Sequence, residues 1–166
     1  PTLRTTYLRL RAWRLGNAGL AGAALAAGGV LVQGLFRNPL ASPSILGTTA
    51  GASLGGIVVL TLWNVFLAGA LPSWLPAELM LPVGCLLGAW SALLLLLAVT
   101  GRDASVLTVL LTGFILSSLF LSVGGLLTSL ASEDFDLGRA VVAFTLGGVD
   151  AKGSNHLALA VPMVVL

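Results

Sequence analysis

Ser105–Ala131 reads SVLTVLLTGFILSSLFLSVGGLLTSLA, a run without Asp, Glu, Lys, Arg or His. At 1.5 Å per residue such a run forms a helix of about 40 Å, longer than the ~30 Å of hydrocarbon in a bilayer. A charged side chain at mid-bilayer costs about 2.5–3.5 kcal/mol on insertion scales, so a charge-free run of this length marks a span. In lipid only helices and closed barrels satisfy their own backbone, and the run is continuous rather than alternating, which selects the helix.

The same reading extends in both directions. Residues 15–36, 45–70 and 79–99 are also free of charge, and a fifth apolar run occupies residues 157–166. The fold class expected is an all-α, polytopic transmembrane bundle. Across the 166 residues, 57% are hydrophobic and 8% charged, with eight Lys+Arg against six Asp+Glu for a net charge of +2. A soluble surface needs roughly 25–35% charged residues, so a free soluble globule is excluded. A nucleic-acid binder is excluded too, because the few cations are spread thinly or sit in one short terminal cluster. The single cysteine, Cys85, forms no disulfide within the chain and no cysteine-based metal site.

The connections are short. Residues 37–44 contain Pro39 and Pro43 and must turn; residues 71–78 contain Pro72 and Pro76 around Trp74, a residue suited to the membrane interface. Residues 132–155 begin polar and then turn apolar over too few residues to span, which predicts a short surface helix over 136–147 with Asp136 as its cap. The start, with Arg4, Arg9, Arg11 and Arg14 before an Ala/Gly/Leu run, imitates a signal peptide, but the run over 15–36 exceeds the usual 7–15-residue core. Opening on Pro1 and closing inside an apolar run, the sequence reads as part of a longer chain.

Small residues recur every four positions: Ala18, Gly22 and Ala26; Gly47, Gly51 and Gly55; Gly84 and Gly88. Such stripes let membrane helices approach closely. Along residues 105–131, Ser105, Thr108, Thr112, Ser118, Ser122 and Ser129 fall within an arc of roughly 140° at 100° per residue, with Ser117 and Thr128 elsewhere. A polar stripe without charge suits the wall of an aqueous pathway; equally, hydroxyls bond back to carbonyls one turn earlier.

Two motifs point to enzymes and lack their context. Gly51–Gly55, GASLG, fits G-x-S-x-G, which would make Ser53 a nucleophile with His156 as the single available base of an intramembrane protease. Gly147–Ser154, GGVDAKGS, lacks the G-K-[ST] order of a phosphate loop. The spans hold no cluster of ionisable side chains, which counts against an ion-coupled carrier and against a metal site, and no cofactor is expected.

Four stretches carry a family resemblance. Gln33–Gly55 reads QGLFRNPLASPSILGTTAGASLG, Arg11–Arg14 reads RAWR, Leu110–Phe120 reads LLTGFILSSLF, and Asp134–Gly148 reads DFDLGRAVVAFTLGG. In this order they resemble the FecCD family of permeases of bacterial ABC importers for iron–siderophore complexes, haem and cobalamin. Trp13 stands where the family has proline, and the polar segment before Leu110 matches at Ser105 alone. The resemblance implies about half of a ten-helix permease, from just before its second helix into its sixth, in the bacterial inner membrane. It implies as partners a second permease subunit, as homo- or heterodimer, cytosolic ATPase subunits and a substrate-binding protein. The ATPase-docking helices of the family would lie past Leu166.

The resemblance also assigns residues. Arg11 and Arg14 match arginines that pair with glutamates of the binding protein, headgroup anchoring being the other use for them. Arg37, Asn38, Pro39, Leu40, Pro43 and Gly47 belong to the signature turn, read as architecture ahead of substrate contact. Charge alone would place the arginine-rich start in the cytoplasm; the family places it outside.

Overall fold

The computed structural model describes residues 3–39, 41–62, 77–101, 104–132 and 135–147. Leu40, Trp74, Arg102, Glu133, Asp134, Lys152, His156 and the run 157–166 lie outside the described residues. The described elements are α1 (Leu3–Phe36), a 3-10 turn (Pro43–Leu46), α2 (Thr48–Leu62), α3 (Ala77–Thr100), α4 (Val106–Ala131) and α5 (Phe135–Thr145). No strand occurs among the described residues. Three helices, α1, α3 and α4, are long and apolar enough to cross a membrane, and α2 is a shorter apolar helix.

Helix α1 runs for 34 residues. It takes in the arginine-rich start as well as the charge-free run over 15–36. The reason is local. No Gly or Pro interrupts Leu3–Leu15, and Arg, Leu and Ala are strong helix formers. At its other end Arg37 takes a left-handed conformation, φ 49°. The Arg37 N–H donates to the Gly34 carbonyl and the Asn38 N–H to the Gln33 carbonyl, the paired bonds of a Schellman stop. Pro39 then holds Asn38 out of the helical region.

Ser42, extended at φ −129° and ψ 153°, precedes Pro43 at the first position of the 3-10 turn. Gly47, at φ 82°, ends the turn and its carbonyl accepts the Gly51 N–H at 2.9 Å, opening α2. Of the span expected over 45–70, α2 covers Thr48–Leu62, and residues 63–70 lie outside the described residues. Ile45 and Leu46 belong to the turn, and Gly47 leaves the stripe it shares by spacing with Gly51 and Gly55. Gly47 faces Gly113 and Leu116 of α4, whereas Gly51 and Gly55 face α3.

Helices α2 and α3 touch backbone to backbone. A Cβ on Gly55 would overlap the Gly84 carbonyl, and one on Gly88 would overlap the Gly51 carbonyl. Ala92, fully buried, continues the seam against Gly51. Gly113 of α4 receives the 3-10 turn in the same way, where a Cβ would overlap the Ile45 carbonyl. Ser105 caps α4, its hydroxyl accepting the Thr108 N–H at 3.2 Å.

Helix α5 lies across the end of α2 and α4. Leu137 and Val141 join Ile57 and Ala131 in the buried cluster, with Leu60, Leu127 and Phe144 against it. Gly138 permits the close turn, since a Cβ there would meet the Ser132 Cα at 3.1 Å. Asp136 sits inside the first turn of α5 rather than ahead of it, because the helix already begins at Phe135. Its carboxylate still lies at the positive end of the helix dipole.

Helix α1 stands apart. Among the described residues it meets the rest chiefly at the 3-10 turn, with Gly28 against Pro43. Its small-residue stripe is uncovered: Ala18 and Ala26 are exposed, and a Cβ on Gly22 would meet nothing within 4 Å.

Candidate functional site

Three features are positioned by this frame: the turn between α1 and α2, the open face of α4 with a hollow on its packed side, and the basic end of α1. In the turn, Pro43 packs on α1 and Gly47 on α4, so both join helices. Thr48 Oγ1 donates to the Pro43 carbonyl at 3.1 Å. Ser117 Oγ donates to the Gly113 carbonyl at 2.8 Å and lies 3.5 Å from the Ser44 carbonyl, tying the turn to α4. Asn38 is half-buried, its carbonyl accepting the Ala41 N–H at 3.1 Å. Arg37 and Pro39 are exposed.

On α4 the stripe hydroxyls lie away from the packed side. Gly113, Leu116, Gly124 and Ala131 face the bundle, whereas Ser105, Thr108, Ser118, Ser122 and Ser129 are exposed and Thr112 is half-buried. Ser118 Oγ donates to the Phe114 carbonyl at 3.0 Å and Ser122 Oγ to the Ser118 carbonyl at 2.8 Å. Ser105 Oγ and Thr108 Oγ1 bond each other at 2.9 Å. Thr128, off the stripe, bonds back to the Gly124 carbonyl in the same manner. Back-bonding uses the hydroxyl proton and leaves the oxygen's acceptor capacity open. The face thus offers acceptors without charge, among exposed Leu111, Ile115 and Leu126.

On the opposite, packed side of α4 is a hollow of about 340 Å³ between α2, α4 and α5, lined by Ala50, Ser53, Ile57, Phe120, Gly124 and Thr128 among others. Sequence spacing gave no signal for it. It depends on Gly124 leaving room opposite Ile57 and on α5 folding back over the bundle end. Ser53 lines it from inside α2, whereas a hydrolase elbow needs its serine on a sharp strand-to-helix turn. Among the described residues no three His, Cys, Asp or Glu side chains gather as a metal site would require.

At the basic end, Arg4, Arg9 and Arg11 are exposed and Arg14 is half-buried. The structure brings Arg11 and Arg14 onto one helix, three residues apart and therefore on one side of it. Asn17 Nδ2 donates to the Trp13 carbonyl at 2.9 Å just below them.

Comparison with known proteins adds to this geometry. The model of the FecCD transport family matches residues 1–166. The Fe(3+) dicitrate transport system permease protein FecD of Escherichia coli K12 is 34% identical over 163 residues, covering 96% of this chain and 47% of that protein. The molybdate import system permease protein MolB of Haemophilus influenzae is 31% identical, covering 89% of this chain and 40% of its own length. The cobalamin import system permease protein BtuC of Halobacterium salinarum is 28% identical, at 87% and 36%. A solved chain described as a metal-chelate type ABC transporter, in an inward-facing conformation, superposes with a TM-score of 0.78 at 26% identity. That match covers 99% of this chain and 50% of the other. The chain spans about half the length, or less, of the curated relatives it matches.

Proposed function

The chain belongs to the FecCD transport family, its whole length matching the family model, and from that premise we propose that it forms part of the permease subunit of an ATP-driven importer in the bacterial inner membrane. The cargo is an iron–siderophore complex, with haem and cobalamin as chemical neighbours. The relatives' names cover ferric dicitrate, molybdate and cobalamin, so family membership leaves cargo open.

One observation supports a chelate in particular: the exposed α4 face joins uncharged hydroxyl acceptors with large apolar side chains. A bare ion requires a cage of ligands or counter-charge. A metal wrapped in an organic shell presents donors and apolar surface, and a wall that binds it weakly lets it leave again. Ser105, Thr108, Thr112, Ser118 and Ser122 line the path in this reading.

The permease pairs with a second permease subunit, and ATP is hydrolysed on separate cytosolic subunits. A substrate-binding protein docks at Arg11 and Arg14 on the external side, with the 37–47 turn on the cytosolic side. ATP does work by changing which state, outward or inward, holds the cargo better.

Reconstituting the full-length permease with its ATPase and binding protein tests this. ATP-dependent uptake of a ferric siderophore is expected. Uptake driven by an ion gradient without ATP would overturn the reading in favour of a coupled carrier. Single cysteines at Thr112, Ser118 and Ser122 are expected to react with a water-soluble thiol reagent at least tenfold faster than one at Leu116; equal inertness would remove α4 from the path.

A further inference from the structure

The hollow between α2, α4 and α5 takes no part in the path proposed above, which runs along the other side of α4. It is long and narrow. Its walls run from Ala50 to Ile57 on α2 and from Phe120 to Thr128 on α4, about 10 and 12 Å at 1.5 Å per residue. Both walls lie in the charge-free runs 45–70 and 105–131, at the depth of the acyl chains. One leaflet contributes about 15 Å to the hydrocarbon core, close to the length of the slot. Spread over that length, 340 Å³ leaves a cross-section of about 30 Å². That is the width of a single hydrocarbon chain. An α-helix, about 10–12 Å across with its side chains, is too wide for it, and so is a metal wrapped in an organic shell.

Among the described residues no charged side chain lines the slot. Thr128 and Thr145, on its walls, spend their hydroxyl protons on the Gly124 and Val141 carbonyls, each at 2.8 Å. An ion or a strongly polar solute would lose its hydration there without replacement. Leu121, Val142 and Leu146 also line the slot and are exposed, Leu146 by 81%, so it opens sideways between apolar side chains. The sequence turns polar at Ser132, where α4 ends, which sets α5 at headgroup depth. Arg139 is exposed on α5, three residues before Val142 and seven before Leu146, and therefore on their side of the helix. The three share a second hollow, joined to the slot through Val142 and Leu146. A guanidinium, which matches a phosphate in two bonds, thus adjoins the mouth of an alkyl-sized slot.

Resting on the membrane placement in the reading above and not on its cargo, we propose that this is a phospholipid site: one acyl chain of an anionic phospholipid enters the slot between α2 and α4, and its phosphate pairs with Arg139 on α5. A lipid tail is as well solvated in the bilayer as against leucine, so apolar burial alone selects nothing. The width of the slot and the pairing at Arg139 do the selecting. A lipid held in this way splints α5 to the two helices beneath it.

The test places the full-length permease in nanodiscs containing phosphatidylglycerol with a diazirine on one acyl chain, and maps the photo-cross-links by mass spectrometry. Ser53 and Thr128 are expected to label at least fivefold above Leu94, an exposed residue of α3. G125L puts a side chain into the slot at a position where a Cβ meets nothing within 4 Å. It is expected to cut labelling at Ser53 and Thr128 at least fivefold and to leave Leu94 unchanged. R139Q, at an exposed position, should cut it at least threefold, and the same diazirine chain on an uncharged diacylglycerol should label no better than that. Labelling of Ser53 and Thr128 at or below the level of Leu94 would overturn the site, protein then covering the slot, and would leave the membrane placement standing. Absence of label at Leu94 as well would overturn that placement and the site with it. Equal labelling by both probe lipids, unchanged in R139Q, would overturn the proposal by showing a slot open to any alkyl chain. Displacement of the label by oleate and not by excess phosphatidylglycerol would do the same in favour of a free fatty acid.

Discussion

Arg37 carries the cost of a left-handed backbone without the freedom of glycine. That conformation costs a residue with a Cβ about 1–2 kcal/mol, and glycine is the usual occupant of the position after such a helix end. Arg37→Gly is therefore expected to stabilise the protein by about 1 kcal/mol, read as a higher unfolding midpoint in detergent. The seam glycines behave oppositely. Gly88→Val drives a side chain into the Gly51 carbonyl and the Gly55 Cα, and should cost about 1–3 kcal/mol by overpacking. Gly125→Ala, on a side of α4 where a Cβ meets nothing within 4 Å, should be neutral or gain up to about 1 kcal/mol of helix propensity. Thermal unfolding of the three variants side by side checks the set. Sequence spacing alone puts Gly47, Gly51 and Gly55 on one stripe. It cannot separate them, because a positive φ at Gly47 turns the chain between the first and second of the three.

Among elements, the long helices were legible because lipid enforces a simple rule on them: no charge across a span. The arm of α1 was harder to read, since four arginines resemble a loop. The available signal was the lack of Gly or Pro from Leu3 to Leu15 together with strong helix formers. The short helix α5 was legible in outline, but its docking was not. Phe144 lies over Gly56 beside Cys85, a contact between residues remote in sequence that no periodicity records. Phe144→Ala is expected to cost about 2 kcal/mol, below the 3–5 of a fully buried Phe because this ring is half-buried. Its sign would be faster amide exchange in residues 135–145 with little change in α3. Equal acceleration in both would show that α5 and α3 open together.

At the scale of the whole molecule, outward-facing apolar side chains dominate the surface of α1, α3 and α4. Trp90 on α3 is 60% exposed, amid Leu86, Leu87 and Leu94. In a variant keeping Trp90 as its single tryptophan, brominated acyl chains should quench most of the fluorescence, whereas aqueous iodide should quench little. The reverse would place this face of α3 against water or another protein surface. Which of the exposed faces meet lipid and which meet further helices was not legible, because a leucine suits either neighbour equally. The small-residue stripe of α1 is the exception: Ala18, Gly22 and Ala26 offer lipid little contact area and offer a second helix a close approach.

The glycine seam has a dynamic consequence. Where a carbonyl oxygen of one helix lies against a glycine Cα of the other, no side chain stands between them to change rotamer, so α2 and α3 are expected to move together rather than slide past each other.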